Sequence, residues 1–236
     1  MQFSIVIPAR NEEKFLPSCL DSIKISCALA NVTYEIIVVL NRCTDRTEEI
    51  ALEYGCRVVV DDTKNLSHIR NSGAKVALGD IIVTVDADSR VSKNMFKTIL
   101  SKMNSGKFIA GGVMIIPERI SLGILCSAIC MAPVALRYGI QCGVFFVSKN
   151  DYFKIGGFNE DLYSAEDVDF ARRLKELGRQ QGKKYCMWSL AYIITSCRKF
   201  DKLGDWYFLK NYKESLALLR SSDRKAADKI WYDFER

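Results

Sequence analysis

Ile81-Ile82-Val83-Thr84-Val85-Asp86-Ala87-Asp88 is five apolar or β-branched residues running straight into two carboxylates. Such a run reads as a strand buried on both faces, the form strands take in a parallel sheet. Carboxylates at the end of a buried strand are costly unless paired, hydrogen-bonded or bound to a metal. A hard divalent ion bridging carboxylate and diphosphate oxygens would satisfy them, because Mg²⁺ commonly sits on one or two carboxylates plus substrate phosphates.

Toward the N-terminus, strand and helix patterns alternate. Phe3–Pro8, Tyr34–Leu40 and Arg57–Val60 read as strands, and Glu12–Cys27, Thr44–Tyr54 and Ser67–Leu78 show helical spacing. Alternation of this kind predicts an α/β fold with a mostly parallel, Rossmann-like central sheet and helices on both faces. In such sheets ligands bind outside the carboxyl ends of the strands. Pro8-Ala9-Arg10-Asn11-Glu12, Asn41-Arg42-Cys43-Thr44-Asp45 and Asp86-Ala87-Asp88 each follow a strand, so three polar clusters are expected at one sheet edge.

On the C-terminal side, Asn94–Asn104 is expected to be a helix and Phe108–Ile116 another strand. Ile120–Leu136 carries no charge and approaches the roughly 20 apolar residues of a membrane span, though Ser121, Gly123, Ser127 and Pro133 dilute it. A buried or interfacial helix, a span, and a surface helix shielding an acceptor pocket are all open readings. Gly156-Gly157-Phe158-Asn159-Glu160 reads as a loop, Ala165–Leu177 as a helix stopped by Gly178, and Lys184–Trp188 and Tyr192–Thr195 as short strands. From Leu203 to Arg220 the apolar residues Trp206, Leu209, Leu216 and Leu219 share a helical face among Lys210, Lys213 and Arg220. This predicts a packed C-terminal helix or one lying on a membrane or partner.

Glycine pairs permit positive φ and close backbone approach to a ligand, which puts Gly156 and Gly157 among the candidates. Glu166-Asp167-Val168-Asp169 opens the following helix, where the dipole favours negative charge. It is also where a carboxylate could deprotonate an acceptor hydroxyl.

Bulk properties narrow the classes. The 236 residues suit one domain with an appended tail, and the apolar and charged fractions of 49% and 26% exclude a disordered chain. MQFSIVIPARNEE lacks the pattern of a secretory leader, and the nine cysteines with a single histidine, His68, make a poor zinc site or disulfide set. The expectation is a cytoplasmic protein with reduced thiols. The formal charge of +6 is dispersed and accompanies no nucleic-acid module, so phosphorylated ligands or anionic lipid are favoured over nucleic acid.

Ser4-Ile5-Val6-Ile7-Pro8-Ala9-Arg10-Asn11-Glu12-Glu13, then Asn71-x-Gly73-x-x-x-Ala77-x-Gly79-Asp80 before Asp86-x-Asp88, then Gly156-Gly157-Phe158 before Glu166-Asp167, together resemble family-2 glycosyltransferases of the GT-A fold. The likeness covers roughly residues 3–178. It implies a catalytic domain over residues 1–200, with a nucleotide-sugar half at 1–105 and an acceptor half at 106–200, and a helical tail at 201–236.

The resemblance further implies an inverting transfer from a nucleotide sugar, UDP-linked before GDP-linked, to a saccharide or lipid-linked acceptor. The oligomeric state stays open, as does contact with the inner membrane face. Pro8, Ala9, Arg10 and Glu12 would line the nucleoside. Asn41 stands where the family usually has a base-binding aspartate, and Arg70 and Asn71 would lie near the nucleotide. Asp86 would face the ribose beside Ala87, and Asp88 would bind Mg²⁺ or Mn²⁺. Asp167 would be the general base, with Glu166 toward the acceptor. Arg198, in Thr195-Ser196-Cys197-Arg198, is the candidate for the diphosphate, since an arginine fork suits phosphate oxygens.

Two other classes stay open on sequence. A sugar nucleotidyltransferase usually opens with G-x-G-[TS]-R where Pro8-Ala9-Arg10-Asn11 stands, and would release pyrophosphate. A silent nucleotide-binding scaffold would neither hydrolyse nor transfer.

Overall fold

The computed structural model describes residues 1–138, 143–162, 164–187 and 190–211. Strands β1 (Phe3–Ala9), β2 (Tyr34–Leu40), β3 (Arg57–Val60) and β4 (Ile81–Val85) are joined by helices α1 (Leu16–Ala30), α2 (Thr47–Glu53) and α3 (Leu66–Lys75). All pairings among these four strands are parallel, with β1 between β2 and β4. After β4 come β5 (Ser89–Val91), α4 (Met95–Asn104), β6 (Phe108–Gly112), β7 (Met114–Pro117), α5 (Leu122–Tyr138), β8 (Val144–Ser148) and α6 (Lys149–Lys154). The order closes with α7 (Glu166–Gln180), β9 (Lys184–Cys186), β10 (Tyr192–Thr195), α8 (Arg198–Leu203) and α9 (Tyr207–Lys210). One seven-stranded sheet runs β3-β2-β1-β4-β8-β6-β9, and a small sheet runs β5-β10-β7. Because β8 pairs antiparallel with both β4 and β6, the large sheet is mixed beyond β4.

Period-two alternation explains the two covered faces. Ile5, Ile7, Val38, Val83 and Phe146 point into one core, shared with Leu20 and Ile23 of α1 and Phe96 of α4. Val6, Ile37, Val39, Ile82 and Phe145 point into the other, shared with Ile69 of α3 and Phe170 and Leu174 of α7. Helix α3 sits so close to the sheet that a Cβ on Gly73 would lie 2.5 Å from Val6 Cγ1, so only glycine fits there.

Several expectations shift. The helix foreseen from Glu12 begins at Leu16, with Pro17 in its first turn, where a missing N–H costs nothing. Phe108–Ile116 is not one strand: β6 joins the large sheet and β7 the small one, with Val113 buried between them. The apolar run gives α5, which is neither fully buried nor a span. Ile124 and Ser127 are buried, Leu122, Leu125 and Ile129 are exposed, and among the described residues no helix is long and apolar enough to cross a membrane. The helix expected from Leu203 is broken at Gly204, whose φ of +88° ends α8, and Leu216, Leu219 and the rest of the tail from residue 212 lie outside the described residues. The eight described cysteines are free thiols.

Candidate active site

The loops after β1 and β2 are laced together. Asn11, at φ +51°, accepts from Thr44 N at 2.8 Å, Glu12 N donates to Thr47 Oγ1 at 2.8 Å, and Glu13 N donates to Asp45 Oδ2 at 3.0 Å. Two of the three polar clusters are thereby one unit, with Ala9 buried at its base and Pro8 and Arg10 partly exposed.

Asn41 serves this edge in an unexpected way. Its Nδ2 donates to Asp61 O at 2.6 Å and Thr63 O at 2.8 Å, while its Oδ1 accepts from Arg42 Nε at 3.3 Å and Nη2 at 3.1 Å. An aspartate has no proton to give those carbonyls, which accounts for the amide at this position. Both donors are committed to the fold, and contact with a base would fall to Oδ1 once Arg42 moved.

Asp86, at the end of β4, meets the acidic start of α7 through one guanidinium. Arg70, buried on α3, places Nη2 3.2 Å from Asp86 Oδ1 and Nη1 3.2 Å from Glu166 Oε1 and 3.6 Å from Asp167 Oδ1. The strand-end acid and the helix-start acids therefore face a single cleft. Burial, and after it the charge of Asp167, pushes the Glu166 carboxyl up to about 8. Asp167 Oδ1 is buried and accepts no hydrogen bond. Ala165, at a φ of +57°, turns the chain into α7 just ahead of these acids.

Arg70 has a platform below it. Its guanidinium carbon lies 5.1 Å above the Phe158 ring, which stacks on Phe170 at 4.0 Å. Asn71, expected near the nucleotide, is spent on this platform instead. It donates to Phe158 O and Glu160 Oε1, each at 2.8 Å, and accepts from Tyr152 Oη at 2.6 Å and Phe158 N at 2.9 Å. Those four bonds exhaust a carboxamide, leaving none for a ligand. Gly157, at φ +70°, passes so close that a Cβ would lie 2.6 Å from Asn71 Oδ1. Gly156 lines a cavity of about 330 Å³ with Ile155, Phe158, Asn159, Glu160 and Arg173, which none of the site acids lines.

Asp88 belongs to the other wall. Its Oδ2 accepts from Ser196 Oγ at 2.9 Å and lies 3.0 Å from Arg198 Nη2. Arg198 in turn forks onto Glu12, with Nη1 and Nη2 each 2.8 Å from a carboxylate oxygen. Ala87 between the two aspartates packs its methyl in the core, so its side chain takes no part in the cleft. Ser196 was not singled out from sequence, although it adjoins Thr195 in the run that yields Arg198; only the β5–β10 pairing brings it to Asp88. His68 is structural, its Nδ1 lying 2.6 Å from Asp61 Oδ2.

Among the described residues no cluster of three or more acidic, histidine or cysteine ligands forms a metal cage. Asp88 alone, a hard oxygen donor at a strand end, fits a divalent cation whose remaining ligands come from phosphate and water, the usual arrangement for Mg²⁺.

The model of glycosyl transferase family 2 matches residues 4–154. The uncharacterized glycosyltransferase EpsJ of Bacillus subtilis is 38% identical over 101 residues, which are 41% of this chain and 28% of that protein. The chain thus aligns with little more than a quarter of that relative's length. Solved structures share the fold at low identity. S. aureus TarS 1-349 in complex with UDP-GlcNAc has a TM-score of 0.63 at 16% identity, covering 98% of this chain and 70% of that one. The mannosyltransferase PcManGT from Pyrobaculum calidifontis, in complex with GDP-Man and Mn²⁺, has a TM-score of 0.65 at 13% identity, covering 97% and 73%.

Proposed function

Because this chain belongs to glycosyl transferase family 2, we propose that it transfers a sugar from a nucleoside-diphosphate sugar to an acceptor hydroxyl, with inversion at the anomeric carbon. The observation that carries this reading is the Arg70 guanidinium shared between Asp86 and the Glu166–Asp167 pair, which sets donor-side and acceptor-side acids across one cleft. UDP is the first choice of donor nucleotide and GDP the second, in line with the ligands of TarS and PcManGT.

Asp167 takes the acceptor proton. It stands in the first turn of α7 beside Glu166, 3.6 Å from Arg70 and across the cleft from Asp86, where an acceptor hydroxyl would arrive. Glu166, held protonated at neutral pH by burial, keeps a second negative charge away from the incoming oxygen. Arg70 fixes the orientation of both. Mg²⁺ or Mn²⁺ held by Asp88 would neutralise charge on the departing diphosphate. Arg198 supplies a guanidinium fork at the same wall. Pro8 and Arg10, partly exposed, line the nucleoside side; Ala9 and Glu12, expected there, are buried, and Glu12 holds Arg198 instead, while Gly156 and Gly157 belong to the loop that seats the acceptor wall.

The acceptor is a saccharide or a lipid-linked sugar reached at a membrane surface. The exposed Leu122, Leu125 and Ile129 on α5 support the latter. A thermal-shift panel of UDP, GDP and their sugars, with and without Mn²⁺, tests the donor, since a native-state ligand raises the melting temperature by mass action. Asp167→Asn should keep the nucleotide-induced shift while transfer falls by about 10²–10⁴-fold, the contribution of a general base. Transfer by this variant at the parent rate would remove the base assignment, and no shift with any nucleotide would remove the donor reading.

A further inference from the structure

We infer that Arg198 is a displaceable counter-ion for Asp88, occupying the cation's place until nucleoside diphosphate and divalent cation arrive together. The inference rests on the donor reading above and adds a coupling to it. Asp88 Oδ2 lies 3.0 Å from Arg198 Nη2, so the guanidinium already neutralises the carboxylate on which a cation would sit. A guanidinium is permanently charged, and a divalent ion on either oxygen of that carboxylate would be repelled by it at close range. The two cannot share the carboxylate unless negative charge comes in between. The donor diphosphate is the species that brings such charge, and its oxygens can accept from the Nη2 edge that turns away from Asp88.

Glu12 makes the displacement local. It is 1% exposed, and its two oxygens hold Arg198 Nη1 and Nη2 at 2.8 Å each, contacts that do not depend on Asp88. The guanidinium also lies over the Phe15 ring at 5.2 Å. The backbone that carries it is anchored from behind, because Asp201 of α8 and Asp205 beyond it both accept from Arg119 Nη2, at 2.6 and 2.7 Å. Losing Asp88 therefore frees one edge of the Arg198 fork without unseating α8. Two linked consequences follow. The nucleotide-free protein binds cation weakly, and cation and nucleoside diphosphate each strengthen the other's binding by the same factor.

Calorimetric titration of nucleotide-free protein with Mn²⁺ alone tests this. Arg198→Gln removes the charge while keeping a polar, hydrogen-bonding side chain, and should bind Mn²⁺ on the order of tenfold more tightly than the parent, equivalent to about 1.4 kcal/mol. The enhancement of Mn²⁺ affinity by saturating UDP should shrink in the same variant. Asp88→Asn should abolish the tighter Mn²⁺ binding in the Arg198→Gln background, placing it at this carboxylate. Arg198→Ala is the second variant if glutamine disturbs the fold; both remove the guanidinium from the buried Glu12, so a lower melting temperature is expected and a single cooperative thermal transition is the criterion for either. If nucleotide and Mn²⁺ bind the parent together but neither variant changes Mn²⁺ affinity in the free protein, the counter-ion role is wrong. If neither UDP nor GDP binds the parent with Mn²⁺ present, the donor reading itself is what fails.

Discussion

Arg70 carries three carboxylates on one buried guanidinium, and that ratio sets the proton inventory of the cleft. One positive charge cannot stabilise three negative ones out of water, so one acid keeps its proton. Glu166 is that acid: burial and then Asp167 push it up to about 8 against an ordinary 4.5, with Arg70 opposing. The sign of the consequence is fixed by linkage. Between those two values the native state holds a proton that the unfolded chain has released, so stability is greatest below the lower value and falls as pH rises toward the upper one. Across that window the slope is at most about 1.4 kcal/mol per pH unit. Urea midpoints measured from pH 5 to 8 should decline in the parent and decline less in Glu166→Gln. Parallel profiles would show that Glu166 ionises normally.

Asp86 and Asp88 stood out in the sequence because carboxylates closing a buried strand need a partner, whereas Glu166 and Asp167 could equally answer to the helix dipole, and only Arg70 joins them to Asp86. The asparagines were not legible. Asn41 and Asn71 look like ligand contacts until their partners, at Asp61, Thr63, Tyr152 and Phe158, are known. Those partners lie from 20 to 87 positions away in the chain, and no local pattern reveals them.

At the scale of elements, the Gly156-Gly157-Phe158 loop shows how a short motif acts through packing. Gly157 lets the backbone pass Asn71 at positive φ, Asn71 pins Phe158, and Phe158 supports Arg70 from below. Gly157→Ala puts a Cβ 2.6 Å from Asn71 Oδ1 in a left-handed conformation. The backbone alone costs about 1–2 kcal/mol there. For a chain of this length that corresponds to a loss of roughly 2–8 °C in melting temperature, before any clash is counted. Transfer should fall further than stability explains, because the platform under Arg70 shifts, and nucleotide binding should change least. Scanning calorimetry beside a transfer assay checks both, and unchanged activity in a folded variant would separate the loop from the site. Strand and helix order was readable from periodicity as far as β4; the three-residue β5 (Ser89–Val91) was not foreseen, although the α4 that follows it was. Periodicity failed at Phe108–Pro117 because an unbroken apolar run does not say where a strand leaves one sheet for another, a choice made by pairing with β8 and β10.

For the whole molecule, charge and apolar exposure act together. The formal charge is +6, and α5 turns Leu122, Leu125 and Ile129, spaced three and four residues apart, to solvent along one face. Neither feature suffices for membrane attachment, since dispersed charge binds weakly and three apolar side chains form a small anchor. Combined on one molecule, they favour an anionic surface over a neutral one. The protein should therefore co-sediment with phosphatidylglycerol vesicles, less with phosphatidylcholine, and less in high salt. Full burial of one such side chain is worth about 1.5–3 kcal/mol, so partial burial of three allows a partition change on the order of tenfold or more. Replacing Leu122, Leu125 and Ile129 with serine should reduce vesicle binding by that factor, while the melting temperature stays near the parent's because these positions are already solvated. A parent protein that ignores both vesicle types, or a triple variant that binds them equally well, would detach α5 from any lipid-linked acceptor. The cleft between Asp88 and Asp167 would then have to be supplied from solution, and transfer to a soluble saccharide should proceed at full rate without lipid.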